Sequence, residues 1–164
     1  MKHTRIQPGP GQESVWDYPR PPRVEKTGER VVVRLGGEIV ADTTAALRVL
    51  ETSHPPVYYL PASAFAVGAL SAAPGASLCE FKGAANYYDV TGGRVTARRA
   101  AWGYRKPWPG FEELEAHVAV YPGAMDSCEV AGETVTAQEG DFYGGWITSR
   151  IVGPFKGAPG TLGW

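Results

Sequence analysis

A chain of 164 residues, 43% hydrophobic and 20% charged, with a net charge of −1, is the size of one globular domain with its own core. That charge balance excludes a global electrostatic pull toward nucleic acid or an anionic membrane. Two cysteines, Cys79 and Cys128, exclude a disulfide framework.

The 21 glycines and 14 prolines make up roughly a fifth of the chain, which calls for many turns between short elements and so for an all-β, mainly antiparallel fold. The opening MKHTRIQPGPGQESVWDYPRPP has no apolar stretch of the secretory kind, and no segment approaches the roughly 18 apolar residues of a membrane span. The expectation is a cytoplasmic protein with no membrane partner. Residues 1–28 read as an extended N-terminal arm anchored by Trp16 and Tyr18. Residues 29–164 read as a single β-rich domain with a Gly/Pro-rich tail.

In chain order, RVVVRLGGEIVAD (30–42) is a hairpin about Gly36–Gly37, because two β-branched runs flank a dipeptide that tolerates φ > 0. ALRVLETSHPPVYYLP (46–61) gives two strands about the turn His54–Pro55–Pro56. ASAFAVGAL (62–70) is predicted as one short helix and SAAPGAS (71–77) as a loop. LCEFKGAANYYDV is a strand turning at Gly92–Gly93 into RVTARRAAWGY. One helical turn follows Pro109, HVAVYP is a strand, and a third hairpin turns at Ala131–Gly132. A strand around Trp146–Val152 precedes the tail. GGEIVAD (36–42) also echoes AGETVTA (131–137), which marks both halves as β units.

The segments ETSHPPVYYLP, CEFKGAANYYDV, AAWGYRKPWPGFEEL, HVAVYPGAMD and GDFYGGWITSRIVGPFKGAPGT together resemble a bacterial family known as domain of unknown function 427, from about residue 30 onward. That resemblance implies a β-tent fold of the Mss4-like kind: bent antiparallel sheets shared with some methionine sulfoxide reductases and with the ligand-binding domain of cereblon. Many such relatives hold zinc through two CxxC pairs. This chain has no CxxC, so neither metal nor thiol redox chemistry carries over, and no cofactor is expected. The family has also been labelled a nucleotidyltransferase, but the Gly-Ser and Asp-x-Asp elements of such enzymes do not occur here.

Candidate site residues come from the side chains themselves. Counting CEFKGAANYYDV as one continuous strand puts Cys79, Phe81, Gly83, Ala85, Tyr87 and Asp89 on one face, and Glu80, Lys82, Ala84, Asn86, Tyr88 and Val90 on the other. The second set has two readings: a solvent-facing Glu80–Lys82 pair, or a concave wall in which Lys82, Asn86 and Tyr88 meet a ligand. Glu51 ends a strand beside Thr52, Ser53 and His54 and is a candidate acid–base group, or a turn residue paired with an arginine. Lys156 and Arg150 are weaker candidates. Trp102 and Tyr104 share strand parity and can wall an aromatic pocket.

The basic strand 94–106 interleaves arginines with aromatics, as single-strand nucleic-acid platforms do, but FEELE neutralises it at once. The expected site therefore lies between the CEFKGAANYYDV hairpin and the strand ending in Glu51. It comprises Glu51, Lys82, Asn86, Tyr88, Trp102 and Tyr104, and its partner is a small planar polar metabolite, nucleobase-like in character. The alternatives are an enzyme using Glu51 and Lys82 in acid–base chemistry, and an interaction module using strand 94–106.

Overall fold

The computed structural model describes residues 4–79, 81–140 and 143–164. The arm supplies β1 (Glu13–Ser14) and β2 (Arg23–Lys26), and β3 (Val31–Leu35) and β4 (Glu38–Thr43) form the first hairpin. After β5 (Leu47–Leu50) and β6 (Val57–Pro61) comes a long meander of β7 (Leu70–Cys79), β8 (Gly83–Gly92) and β9 (Val95–Gly103). The remainder is short: β10 (His117–Val120), β11 (Ser127–Val130), β12 (Glu133–Thr134), β13 (Thr136–Ala137), β14 (Trp146–Ile147) and β15 (Ile151–Val152).

Two sheets make the body. One has seven strands in the order β2-β5-β6-β10-β9-β8-β7, and the other four in the order β12-β11-β3-β4. Every pairing within them is antiparallel. The arm is joined to this frame, because Arg23–Lys26 pairs with Leu50–Leu47 and Glu13–Ser14 runs parallel to Ile151–Val152. The fold is all-β, as composition requires.

The first glycine turn falls where the sequence puts it and the second is displaced by one residue. Gly36 and Gly37 both take positive φ (61° and 78°), the backbone that suits a two-residue turn between twisted strands. The second turn lies at Gly93–Arg94, one residue later than expected, with Gly93 at φ 55°. These two turns meet: a Cβ on Gly92 would lie 2.2 Å from the Leu35 carbonyl oxygen, and one on Gly36 would lie 2.0 Å from the Gly92 oxygen. Backbone touches backbone there, joining the two sheets.

Three local expectations change. The predicted helix 62–70 is a single 3-10 turn at Ala62–Ala64, because the small residues there present no apolar stripe for a neighbour to cover. SAAPGAS is not a loop; it belongs to β7, whose register shifts between Ala72 and Ala76 around Pro74 and Gly75. Proline and glycine are tolerated because β7 is an edge strand and the irregularity takes them up. CEFKGAANYYDV is not one strand: Phe81 and Lys82 form the turn between β7 and β8. Glu80 lies outside the described residues, and so does its pairing with Lys82.

The seven-stranded sheet buries both faces. Its first face offers Tyr58, Leu60, Val90, Ala101, Val118 and Val120 to Val31, Val33, Leu35, Cys128 and Val130 of the four-stranded sheet, with Trp146 completing the layer. Each fully buried Val or Leu contributes about 1.5–3 kcal/mol, so this layer is the main store of stability. Its second face carries Leu47, Val49, Tyr59, Ala85, Trp102 and Ala119, covered in part by Phe111 and by Leu114 of a 3-10 turn.

Candidate functional site

Aromatic side chains on that second face do not close over one another, and they leave a cavity of about 600 Å³. Tyr59 comes from β6, Ala85 and Tyr87 from β8, and Trp102 from β9. Tyr104 and Tyr121 stand one residue past the ends of β9 and β10. The Trp102 Nε1–H donates to the Tyr59 Oη at 3.2 Å, and the two rings meet edge to face (82°). Tyr121 packs on the indole with a centroid separation of 4.5 Å. From the tail side Gly144 covers the same indole, and a Cβ there would fall 2.2 Å from it. Trp102 is thus fixed by a hydrogen bond, a ring contact and a glycine.

Charge enters at two places. At the β7–β8 turn, Lys82 lies among Tyr59, Tyr104 and Cys79. Burial pulls its pKa down, but Tyr59, Cys79 and Glu51 outweigh that, and the ammonium titrates above its ordinary range. The Tyr59 and Tyr104 phenols are driven upward, first by burial. At neutral pH the group is therefore one cation among neutral hydroxyls. The Trp108 N–H donates to the Lys82 carbonyl at 3.0 Å and ties this turn to the segment after Tyr104.

Also lining the cavity, Glu51 pairs with Arg20 at 3.3 Å and lies 3.9 Å from His54 Nδ1. His54 Nδ1 is also 2.8 Å from the Thr52 carbonyl, so in the neutral ring this nitrogen is the donor. Burial, opposed by Glu51, holds the imidazole below its usual pKa. On the tail side, Lys156 donates to the Trp164 carbonyl oxygen at 3.3 Å, while Gln138 bridges the Lys156 carbonyl and the Gly145 N–H. Among the described residues no group of three or more His, Cys, Asp or Glu side chains is placed to hold a metal ion.

Of the six expected residues, Glu51, Lys82, Trp102 and Tyr104 line one cavity. Asn86 and Tyr88 do not. Tyr88 packs against the layer between the two sheets, and Asn86 shares its parity on β8. The physical reason is the turn at Phe81–Lys82. Parity counted through a turn carries no meaning, so Lys82 joins the face of Cys79, Ala85 and Tyr87 rather than that of Tyr88. Arg20, Tyr59, Tyr87 and Tyr121 line the cavity without having been singled out. Adjacent tyrosines were the available signal, because in a strand Tyr58–Tyr59 and Tyr87–Tyr88 must each send one ring to either face. On strand 94–106 and the segment beyond it, Arg94, Arg98, Arg99, Arg105 and Lys106 are exposed.

No curated protein matches the chain. A family model described as "Domain of unknown function (DUF427)" matches residues 23–131, which span the seven-stranded sheet and most of the four-stranded one.

Proposed function

The chain belongs to this family, whose description names no activity, and from the cavity itself we propose that the protein binds a small planar polar metabolite between its aromatic walls. The observation that carries this reading is a half-buried lysine ammonium, set among neutral phenols and a thiol, in a cavity large enough for a metabolite. A packed core excludes such a charge because burying it unpaired is costly; a binding site uses it to meet a carbonyl or acid group. Trp102, Tyr87 and Tyr121 supply flat surfaces for a ring system, and Glu51 with Arg20 offers further acceptors and donors on the lining.

One observation favours acid–base chemistry as a second reading: Glu51 and His54 face the same cavity as Lys82. Glu51 and Lys82 form no direct ion pair, and Glu51 is engaged by Arg20. Two charged groups engaged separately suit holding a ligand better than direct relay.

A thermal-shift screen of nucleobases, nucleosides and small aromatic acids, run on wild type and Lys82→Met, tests the proposal. Compounds that stabilise wild type and lose their shift in the variant support it. A library that shifts neither protein, with both equally stable, overturns it. Turnover of a hit that stops in Glu51→Gln while binding persists would favour the enzyme.

A further inference from the structure

Arg99 sits in a conformation that long side chains rarely adopt, with φ at 50°, at a register shift of β9 against β8 between Tyr88 and Val90. Its N–H donates to Asp89 Oδ1 at 2.8 Å, which fixes the distorted backbone. The guanidinium carbon lies 4.3 Å from the centroid of the Tyr87 ring, and Tyr87 is held in turn by Ser77 at 2.6 Å. β7 carries its own irregularity alongside, where Gly75 leaves room: a Cβ there would stand 3.3 Å from the Arg99 Nη2. Distortions in both strands flanking β8 thus seat one guanidinium on one tyrosine.

Tyr87 lines the cavity, whereas Arg99 is exposed, so the guanidinium lies on the boundary between cavity and solvent. Among the described residues it forms no ion pair, although Arg20, Arg30, Arg34, Arg48 and Arg150 each do. A guanidinium drawn to a ring face by cation–π attraction spends no N–H group on that contact, which leaves its donors for a carboxylate or phosphate. Fixing a strained backbone to hold an unpaired cation at a cavity edge serves recognition better than packing.

We propose that Arg99 is a second recognition point of the cavity, receiving an acidic group borne by a planar ligand whose ring lies against Tyr87 and Trp102. This rests on the binding reading above and adds that the ligand carries a carboxylate or phosphate reaching the cavity edge.

The test is calorimetric titration with three matched probes: 1-naphthol, 1-naphthaleneacetate and 1-naphthyl phosphate. Wild type, Arg99→Met and Lys82→Met are compared, with circular dichroism and melting confirming that each variant folds. Wild type is expected to bind both acids at least tenfold tighter than 1-naphthol. Arg99→Met should lose that advantage and its salt dependence while keeping its affinity for 1-naphthol. Preference for one acid over the other identifies the group. The proposal is overturned if the acids gain nothing over 1-naphthol, or if Arg99→Met weakens all three probes alike, which marks a structural role. It is also overturned if the advantage vanishes in Lys82→Met and survives in Arg99→Met, which places the acid inside the cavity and leaves the binding reading intact. If wild type binds none of the three, the binding reading itself falls and takes this one with it.

Discussion

Tyr58 and Tyr59 are neighbours on one strand and occupy opposite kinds of interior. Tyr58 stacks on Trp146 at 4.8 Å, inside the layer closed by the four-stranded sheet. Tyr59 is just as buried, yet it accepts a hydrogen bond from Trp102 and borders open space. The first face is filled by valines, leucines and alanines from two sheets, which interdigitate around the Tyr58–Trp146 stack. The second is built from large rings on one sheet only, opposed by a 3-10 turn and a tail. Rings that cannot nest leave volume behind, and their hydroxyls and indole N–H give that volume hydrogen-bonding capacity. One sheet thereby stores stability on one side and recognition on the other.

The largest test of this contrast is truncation on each side. Trp146→Ala is expected to cost about 3–5 kcal/mol in urea unfolding, because a closed layer cannot collapse into the gap. Tyr87→Ala, on a half-buried ring beside existing space, should cost about 1 kcal/mol. Equal losses would break the contrast.

A smaller effect comes from glycine. Gly92→Ala drives a methyl against the Leu35 backbone and should cost about 2–3 kcal/mol. Gly144→Ala meets the Trp102 ring at the same nominal distance, but the ring has a cavity to move into. It should cost under about 1 kcal/mol and shift the tryptophan emission.

The smallest effect is on pH dependence. Burial depresses the His54 pKa, so the unfolded chain takes up its proton first as pH falls. This contribution is complete above about 6.5, the ordinary imidazole value, and is lost as pH drops below it. Glu13, held low by Arg48, loses its contribution only on acidification below the ordinary carboxylate value of 4.5. Melting temperatures between pH 7 and 5 should therefore fall more steeply for wild type than for His54→Asn. Identical slopes would remove His54 from the account.

Much of this architecture is legible in the residues. Gly36–Gly37 announces a hairpin because glycine alone enters consecutive positive φ at no steric cost, while at Ala131–Gly132 the glycine marks the turn and Ala131 follows it to φ 49°. Trp102 and Tyr104 are legible as cavity residues because they share parity, and Glu51 because a carboxylate ends a strand beside hydroxyls and an imidazole. Parity breaks at a turn whose one local mark is the single Gly83. The reversal at Phe81–Lys82 closes on Gly83, which takes φ 114°, and the pairing of Cys79 with Gly83 joins β7 to β8 across it. Asn86 and Tyr88 were assigned through it and went to the wrong face. SAAPGAS failed for a related reason: its composition suits a loop, and only the neighbouring strand makes it an edge.

The joint between the glycine turns has one more consequence. Contacts between side chains can be exchanged piecemeal, one volume for another, and the separation of two sheets can drift as they are. A contact made of peptide groups admits no such exchange, since a methyl at Gly36, Gly92 or Gly93 collides with main chain. The spacing of the sheets at that end is therefore set independently of what fills the interior. Aromatic walls on the far face are free to vary in size and polarity without reopening the frame that carries them.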